Sequence, residues 1–211
     1  MHEDLRYRWE ELCARVGAFK SVHESDLTFE MLTTMYGHPP RAYHNLDHIR
    51  QVLGAFDSVR GLAEDKDCVE FALWMHDCVF FAERSDNEER SADAAAMIAG
   101  LLGASPAFTL RVRELIAVTR HNVEPDRGDP ALVADLDLTI LAEPWEAYDA
   151  YRRAIHDEYA WAGEDLFRSG RVAFLNRMLD KDRLYATGWF KRELETRARK
   201  NMQRELDELV G

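Results

Sequence analysis

Apolar residues recur along most of the chain at steps of three and four, the spacing that places them on one face of an α-helix. The first segment carries the set Leu5, Trp9, Leu12, Val16 and Phe19. The last segment carries the set Phe190, Leu194, Ala198, Met202, Leu206 and Leu209. The sequence shows no alternation of apolar and polar residues longer than a few positions, and it therefore predicts an all-α fold.

Capping residues predict where several helices begin. Ser85 and Glu88 have the spacing of a capping box that opens an alanine-rich helix. Ser105-Pro106 and Asp129-Pro130 are typical of two further helix starts, with a polar cap followed by proline in the first turn. A single carboxyl-terminal helix is predicted over Lys191 to Val210.

Length and composition limit the class of protein. The chain has 211 residues, which suits one domain, and a net charge of −12, which argues against a partner nucleic acid held through its phosphates. The three cysteines are far apart in apolar segments, and we expect them to be buried free thiols. With a charged amino terminus and no apolar run near ~18 residues, we expect a cytoplasmic protein with no membrane partner, as a monomer or a homodimer.

Four places concentrate metal-capable side chains on this apolar scaffold. They are Tyr43-His44-Asn45-Leu46-Asp47-His48, His76-Asp77, Thr119-Arg120-His121 and Asp135-Leu136-Asp137. His44 and His48 are four residues apart, so on a helix they would point the same way. The pair His76-Asp77 follows directly on an almost wholly apolar segment, which predicts a buried helix that ends at this pair.

A metal ion is the economical partner for these side chains. A charged aspartate in a buried helix is costly unless something pairs with it, and one cation can satisfy several carboxylates and imidazoles. Mixed nitrogen and oxygen ligands suit Mn, Fe, Co, Ni or Zn and suit calcium poorly. We expect one or two divalent ions per chain, with Mg also a candidate.

The last carboxylate ligand has two candidates, Asp135 and Asp137. They are two residues apart, so on a helix their side chains diverge by about 200°. Only one of them can easily face a common metal, and the spacing does not decide which.

The order H…HD…D resembles that of the HD-domain phosphohydrolase superfamily, over residues 43 to 141 approximately. The string YHNLDHI is also similar to the first signature of cyclic-nucleotide phosphodiesterases. The strings YHNLDHI, WMHDCVF, DNEERSA and DLDLTIL resemble a group described only as predicted HD phosphohydrolases. The resemblance implies a single helical bundle, with helical extensions before it and over about 144 to 211.

The resemblance also implies roles for individual residues. It makes His44 a general acid. Asp77 is the second catalytic candidate, because it could bridge two metals if a second is present. The metal ligands that the resemblance implies are His48, His76, Asp77 and Asp137, with Asp135 as the reserve ligand. Candidates for a second metal or for the phosphate are Glu88, Arg120 and His121, although His121 could instead interact with the dipole of a helix end.

The expected function is that of a metal-dependent phosphohydrolase. Water activated by the metal would cleave a phosphate ester or anhydride of a small phosphorylated substrate, with a nucleotide the first candidate. Two alternatives share the same ligands. One is an HD-type di-iron oxygenase, and the other is a non-catalytic, metal-containing module that senses a ligand.

Overall fold

Every regular element in the described part of the chain is a helix, which confirms the all-α prediction. The computed structural model describes residues 2–17, 22–39, 41–122, 125 and 127–211. Phe19, which the sequence pattern places on the first helix, lies outside these residues.

The described residues form α-helices that we number in chain order. They are α1 Glu3–Val16, α2 Val22–Tyr36, α3 Leu46–Val59, α4 Lys66–Met75, α5 Asn87–Leu101, α6 Pro106–Ala117, α7 Gly128–Asp137, α8 Trp145–Glu158, α9 Glu164–Leu179, α10 Gly188–Glu193 and α11 Glu195–Val210. Short 3-10 helices lie at Arg60–Leu62, Val118–Arg120, Leu138–Ala142 and Ala160–Ala162. None of the described helices combines the length and the apolar character needed to cross a membrane.

The centre of the bundle is α4, in which every residue from Cys68 to Met75 is buried. It contacts α1, α3, α5, α6 and α7. Trp74 meets Trp9 of α1 edge to face, with ring centroids 5.3 Å apart. The central helix therefore ends inside the molecule, and its end carries the pair His76-Asp77.

A buried carboxylate ties the first helix to this centre. Glu70 of α4 is only 2% exposed, yet three arginines reach it. Arg8 donates to it at 2.7 Å, Arg15 at 2.8 Å and Arg60 at 2.7 Å. Arg8 and Arg15 come from α1, so this helix completes the charge balance of the core.

The predicted helix start at Ser105 is confirmed, because its side chain accepts the backbone N–H of Phe108 at 3.2 Å. The helix predicted to start at Asp129-Pro130 is present, but Asp129 does not cap it. Helix α7 already begins at Gly128, and the buried carboxylate of Asp129 accepts the N–H groups of Glu64 and Asp65 at 2.8 and 3.0 Å. Asp129 therefore stabilises the loop at Glu64 and Asp65, which is distant in sequence, and does not cap its own helix.

The capping box predicted from Ser85 and Glu88 is also wrong. Helix α5 begins at Asn87, after Asp86, and no side chain caps it. The Asn87 amide accepts the N–H of Phe81 at 3.1 Å and donates to the carbonyl of Phe81 at 2.9 Å. The first turn of α5 thus holds the loop that follows His76-Asp77.

The single carboxyl-terminal helix predicted over Lys191 to Val210 is broken in the structure. Leu194 has φ −117° and separates α10 from α11. The first residue of α11, Glu195, accepts the N–H groups of Leu184 and Tyr185 at 3.0 and 3.2 Å. The apolar spacing survives the break, because Phe190, Ala198 and Met202 are all buried.

The carboxyl-terminal helices pack on the rest of the molecule through a buried ion pair. Arg171 of α9 donates to both carboxylate oxygens of Glu205 in α11, at 2.8 and 3.0 Å. The hydroxyl of Tyr148 in α8 donates to the same carboxylate. Three helices therefore share one polar contact inside their common core. The cysteines Cys13, Cys68 and Cys78 are buried and free, as predicted.

Candidate metal centre

Four side chains converge at the end of α4. His48, His76, Asp77 and Asp137 each present one ligand atom, and these atoms all lie within 4.8 Å of one another. We call these four residues the ligand cluster. The two histidines are buried, whereas the side chains of Asp77 and Asp137 are 16% and 17% exposed. One side of the cluster is thus accessible from outside.

Three helices deliver the ligand cluster. His48 lies in the first turn of α3, where the side chain of Asn45 caps the helix by accepting the N–H groups of Asp47 and His48. His76 directly follows α4. Asp137 is the last residue of α7. The cluster therefore forms only where these three helices pack against one another.

The donor atoms have the separations of a metal's ligands. The Nε2 atoms of His48 and His76 are 3.1 Å apart. From His76 Nε2, Asp77 Oδ2 is at 3.1 Å and Asp137 Oδ1 is at 3.2 Å. Ligands about 2.1 Å from one cation lie about 3.0–4.2 Å from each other. The four residues fit a single divalent ion in both chemistry and spacing.

The orientation of His76 supports the same fit. Its Nδ1 atom lies 2.9 Å from the carbonyl oxygen of Leu73. A proton on Nδ1 that donates to this carbonyl leaves the Nε2 lone pair of the neutral ring directed at the ligand cluster. A backbone carbonyl thus fixes the tautomer that a metal needs.

Both carboxylates of the cluster are held in their ionised form. Burial raises the pKa of Asp77 and Asp137, but the surrounding histidines outweigh burial and lower both pKa values below the ordinary range. Burial lowers the pKa of His76, while the two carboxylates outweigh it and raise the pKa well above its usual value. Such a negative, partly buried pair attracts positive charge, and the cluster could hold a metal ion.

Asp135 is not among the residues that the structure brings together. Its carboxylate accepts the N–H groups of Ala186 and Thr187, at 2.8 and 2.7 Å. Asp137, two residues further along, points to the cluster instead. The divergence expected from helical geometry is observed, and Asp135 anchors the segment that precedes α10.

His121 contacts the ligand cluster from behind. Its Nε2 atom lies 2.8 Å from Oδ2 of Asp137, the oxygen opposite the one that faces His76. The backbone of His121 is left-handed, with φ 53°, at the end of the 3-10 helix Val118–Arg120. A strained backbone at this position aims the ring at Asp137, so His121 orients a ligand.

His44 lies beside the cluster without belonging to it. Helix α3 begins at Leu46 and His44 precedes its cap, so the two histidines do not share a helix and the same-face geometry of a common helix does not apply to them. The two rings still lie near each other, with centroids 6.1 Å apart. The His44 ring also stacks on Phe80 at 3.9 Å.

Glu158, which the sequence did not single out, is the partner of His44. Its Oε2 atom lies 2.6 Å from His44 Nδ1, and its Oε1 accepts the N–H groups of Tyr43 and His44 at 2.8 and 2.9 Å. Burial lowers the pKa of His44, but the carboxylates of Asp77 and Glu158 outweigh it and raise this pKa. The site therefore favours the protonated, acidic form of His44.

Arg41 is a second residue that the sequence did not indicate. Its guanidinium donates to the backbone carbonyls of His44, Asp77 and Cys78, at 3.0, 2.7 and 3.0 Å. The same side chain thus joins the segment of His44 to the turn that follows His76. It fixes the distance between the candidate acid and the ligand cluster.

Glu88 and Arg120 lie outside the ligand cluster. Both line a depression of about 610 Å³ whose walls come from α5 and α6. Arg120 is exposed and Glu88 is half-buried. Of the three residues predicted for a second metal or the phosphate, the structure brings only His121 into contact with the cluster.

The chain matches no protein-family model, no curated protein and no solved structure.

Proposed function

We propose that this protein is a metal-dependent phosphohydrolase that cleaves a phosphate ester or anhydride of a small molecule. One observation carries the proposal. A cluster fit for a divalent ion lies next to His44, a histidine that is no ligand and whose protonated form is favoured by Glu158. A hydrolase of this kind needs both a metal and a separate acid.

The ligand cluster supplies the first requirement. A divalent ion bound there would lower the pKa of water towards neutrality and withdraw negative charge from the phosphoryl group. Asp77 and Asp137 keep one side of the cluster accessible, which leaves room for water and a phosphate oxygen. His121 keeps Asp137 in place through its opposite oxygen.

His44 supplies the second requirement. The oxygen of water bonds to phosphorus as the bond from phosphorus to the leaving oxygen breaks. His44 gives its proton to that leaving oxygen, and the proton released by the water restores His44 over the cycle. Nothing is oxidised or reduced, and the products are the alcohol or phosphate that leaves and the transferred phosphate. Glu158 keeps the ring oriented through Nδ1, so that Nε2 carries the transferable proton.

The test is phosphate release by the purified protein after its metals have been removed. Mn, Mg, Fe, Co, Ni and Zn are then added back one at a time. The substrates are a nucleoside monophosphate, a cyclic nucleotide, a sugar phosphate, pyrophosphate and an aryl phosphate. We expect release with at least one metal and one substrate, and a loss of at least about 100-fold in Asp77→Ala.

Asp93→Ala is the matched control, because Asp93 is an exposed aspartate of α5 that pairs with Arg113 on the surface. Its activity should equal that of the wild type. Equal activity in Asp77→Ala would mean that the release comes from a contaminant. Oxygen consumption by the iron-loaded protein without phosphate release would replace the proposal with the oxygenase alternative. A bound metal with no turnover of any kind would favour the sensing module.

A further inference from the structure

A cavity of about 510 Å³ opens beside His44, between α8, α9 and the 3-10 helix Ala160–Ala162. Its walls are mostly aromatic. The rings that line it are those of Phe80, Tyr151, Tyr159, Trp161, Phe167 and Phe174. Small-molecule sites usually occupy about 300–1,000 Å³, so the cavity has the size of a ligand site.

The cavity borders the ligand cluster at His44, whose ring centroid lies 6.1 Å from that of His48. The His44 ring forms part of the cavity wall, and it stacks on Phe80 of the same wall. The Tyr151 ring lies 4.7 Å from the ring of Tyr43, which lies 4.7 Å from that of His48. A leaving oxygen that takes the His44 proton would therefore lie at the wall of this cavity.

The charged groups of the wall are already paired. The guanidinium of Arg171 donates to Glu205 through two nitrogens and to the Tyr151 hydroxyl through the third, at 3.3 Å. His44 is engaged by Glu158. A leaving group rich in hydroxyls or charge would lose its hydrogen bonds to water there and find few new ones, whereas a flat ring would gain edge or face contacts with the aromatic wall.

The rim of the cavity presents large apolar side chains to solvent. Trp161 is 52% exposed and Leu166 is 59% exposed, and both line the cavity. Adjacent exposed apolar side chains at the mouth of a cavity are a feature of surfaces that are covered by a ligand.

We propose that this cavity binds the leaving group and that the substrate is a phosphate monoester of an aromatic alcohol. The inference rests on the proposed function, because it assigns the leaving group of the same hydrolysis. The oxygen of water forms its bond to phosphorus as phosphorus loses its bond to the aryl oxygen. The aryl oxygen takes the His44 proton, the water proton restores His44, and the free aromatic alcohol remains in the cavity until it dissociates.

A substitution at Gly170 can alter the cavity while the ligand cluster stays unchanged. This glycine lies in α9 on the face that Leu166 and Phe174 share, four residues from each, and it lines the cavity. A Cβ atom at this glycine would meet no atom within 4 Å. In Gly170→Leu the new side chain therefore extends into the cavity, and replacing a helical glycine should keep the unfolding temperature at or above that of the wild type.

The experiment compares kcat/KM for 1-naphthyl phosphate with kcat/KM for glycerol phosphate in the metal-loaded protein. We expect the wild type to prefer the naphthyl ester and Gly170→Leu to lower the naphthyl-to-glycerol ratio at least tenfold. Gly100→Leu is the matched control, because Gly100 also lies in a helix with open space around its Cβ position. It should keep the wild-type ratio.

A second measurement separates this inference from the proposed function. The dissociation constant of 1-naphthol is measured with a chelator present, so that no turnover is involved. We expect binding to the wild type and to Gly100→Leu, and at least tenfold weaker binding to Gly170→Leu. If naphthol binds in this way while no phosphate ester is cleaved, the aromatic cavity stands and the hydrolase proposal fails.

The inference itself fails in either of two cases. One is a wild type that hydrolyses glycerol phosphate or a nucleoside monophosphate at least as well as the naphthyl ester. The other is a Gly170→Leu protein whose substrate ratio and naphthol affinity both equal those of the wild type. Either result leaves the hydrolase proposal intact if phosphate release still depends on Asp77.

Discussion

Glu158 positions His44, the candidate acid beside the ligand cluster. Glu158 accepts three hydrogen-bonding groups, namely the N–H groups of Tyr43 and His44 and the His44 ring. Burial lowers the pKa of His44, and the charges of Asp77 and Glu158 outweigh it and raise this pKa. The position of the ring thus depends on one residue of α8, which also contributes to its protonation state.

The first prediction concerns Glu158→Gln. An acid works only while protonated, so activity should be present below the pKa of His44 and lost as the pH rises through it. Because the amide carries no charge, the pKa of His44 should fall in the variant. The alkaline limb of the kcat–pH profile should therefore move to lower pH, which is measured on the metal-loaded protein.

The matched control is Glu164→Gln, since Glu164 contacts an exposed histidine, His156, at 3.0 Å. This variant should keep the wild-type pH profile. An unchanged alkaline limb in Glu158→Gln would show that His44 is not the acid.

The residue pattern indicated His48, His76 and Asp77, and the resemblance selected Asp137, but the sequence did not indicate the partner of the neighbouring His44. The motifs that contain His48, His76 and Asp77 already indicate a metal site in the sequence. Glu158 is 114 residues from His44 and lies on a helix with an ordinary amphipathic pattern. No local signal marks such a partner, because only packing brings it to the site.

At the scale of the elements, the start of α3 is what places His48. The Asn45 side chain accepts the N–H of Asp47 at 2.9 Å and that of His48 at 3.4 Å, and it donates to the carbonyl of Ala42 at 3.0 Å. This cap fixes the turn between His44, outside the helix, and His48, inside it. The separation of the candidate acid His44 from the candidate ligand His48 is thus set by a helix end.

The second prediction compares two helix caps. Asn45→Ala and Ser105→Ala each remove one cap, and each should lower the free energy of unfolding by about 1 kcal/mol. Only Asn45→Ala should also weaken metal binding, because only its helix carries a ligand. Chemical denaturation and titration with the metal measure the two effects, and equal metal affinity in both variants would contradict this role of Asn45.

A helix cap predicted from local spacing is correct where the capping side chain bonds to its own helix. Ser105 caps its own helix, as its sequence pattern indicates. Asp129 bonds instead to the N–H groups of Glu64 and Asp65, and the turn after Ser85 is set by the bonds of Asn87 to Phe81. A polar residue before a helix can satisfy near or distant donors equally well, and local spacing does not reveal which.

At the scale of the whole molecule, the ligand cluster joins helices that are distant in sequence. Ligands come from α3, from the end of α4 and from α7. A bound ion would link these elements in the folded state, and the unfolded chain would not reproduce that arrangement. Metal binding should therefore stabilise the fold.

The third prediction is a rise in the unfolding temperature on addition of metal. At a free metal concentration of 100 times Kd the stabilisation is about 2.7 kcal/mol. For a chain of this size each kcal/mol corresponds to about 2–4 °C, so the expected rise is roughly 5–10 °C. Differential scanning calorimetry with and without a chelator measures it.

A pair of aspartate variants supplies the control. Asp137→Ala should abolish the rise, because it removes a ligand. Asp135→Ala should unfold at a lower temperature than the wild type, since it leaves the buried N–H groups of Ala186 and Thr187 without an acceptor, but it should keep the rise. A rise that survives in Asp137→Ala would place the metal elsewhere.

The three arginines that pair with Glu70 limit which fragments of this protein can be expected to fold. A fragment of residues 43–141 would contain every residue of the ligand cluster and Arg60, but it would lack Arg8 and Arg15. It would also expose the central helix where Trp9 now covers Trp74. The smallest fragment that can fold must therefore include α1. Residues 43–141 transferred alone to another protein would bury Glu70 without two of its three arginine partners.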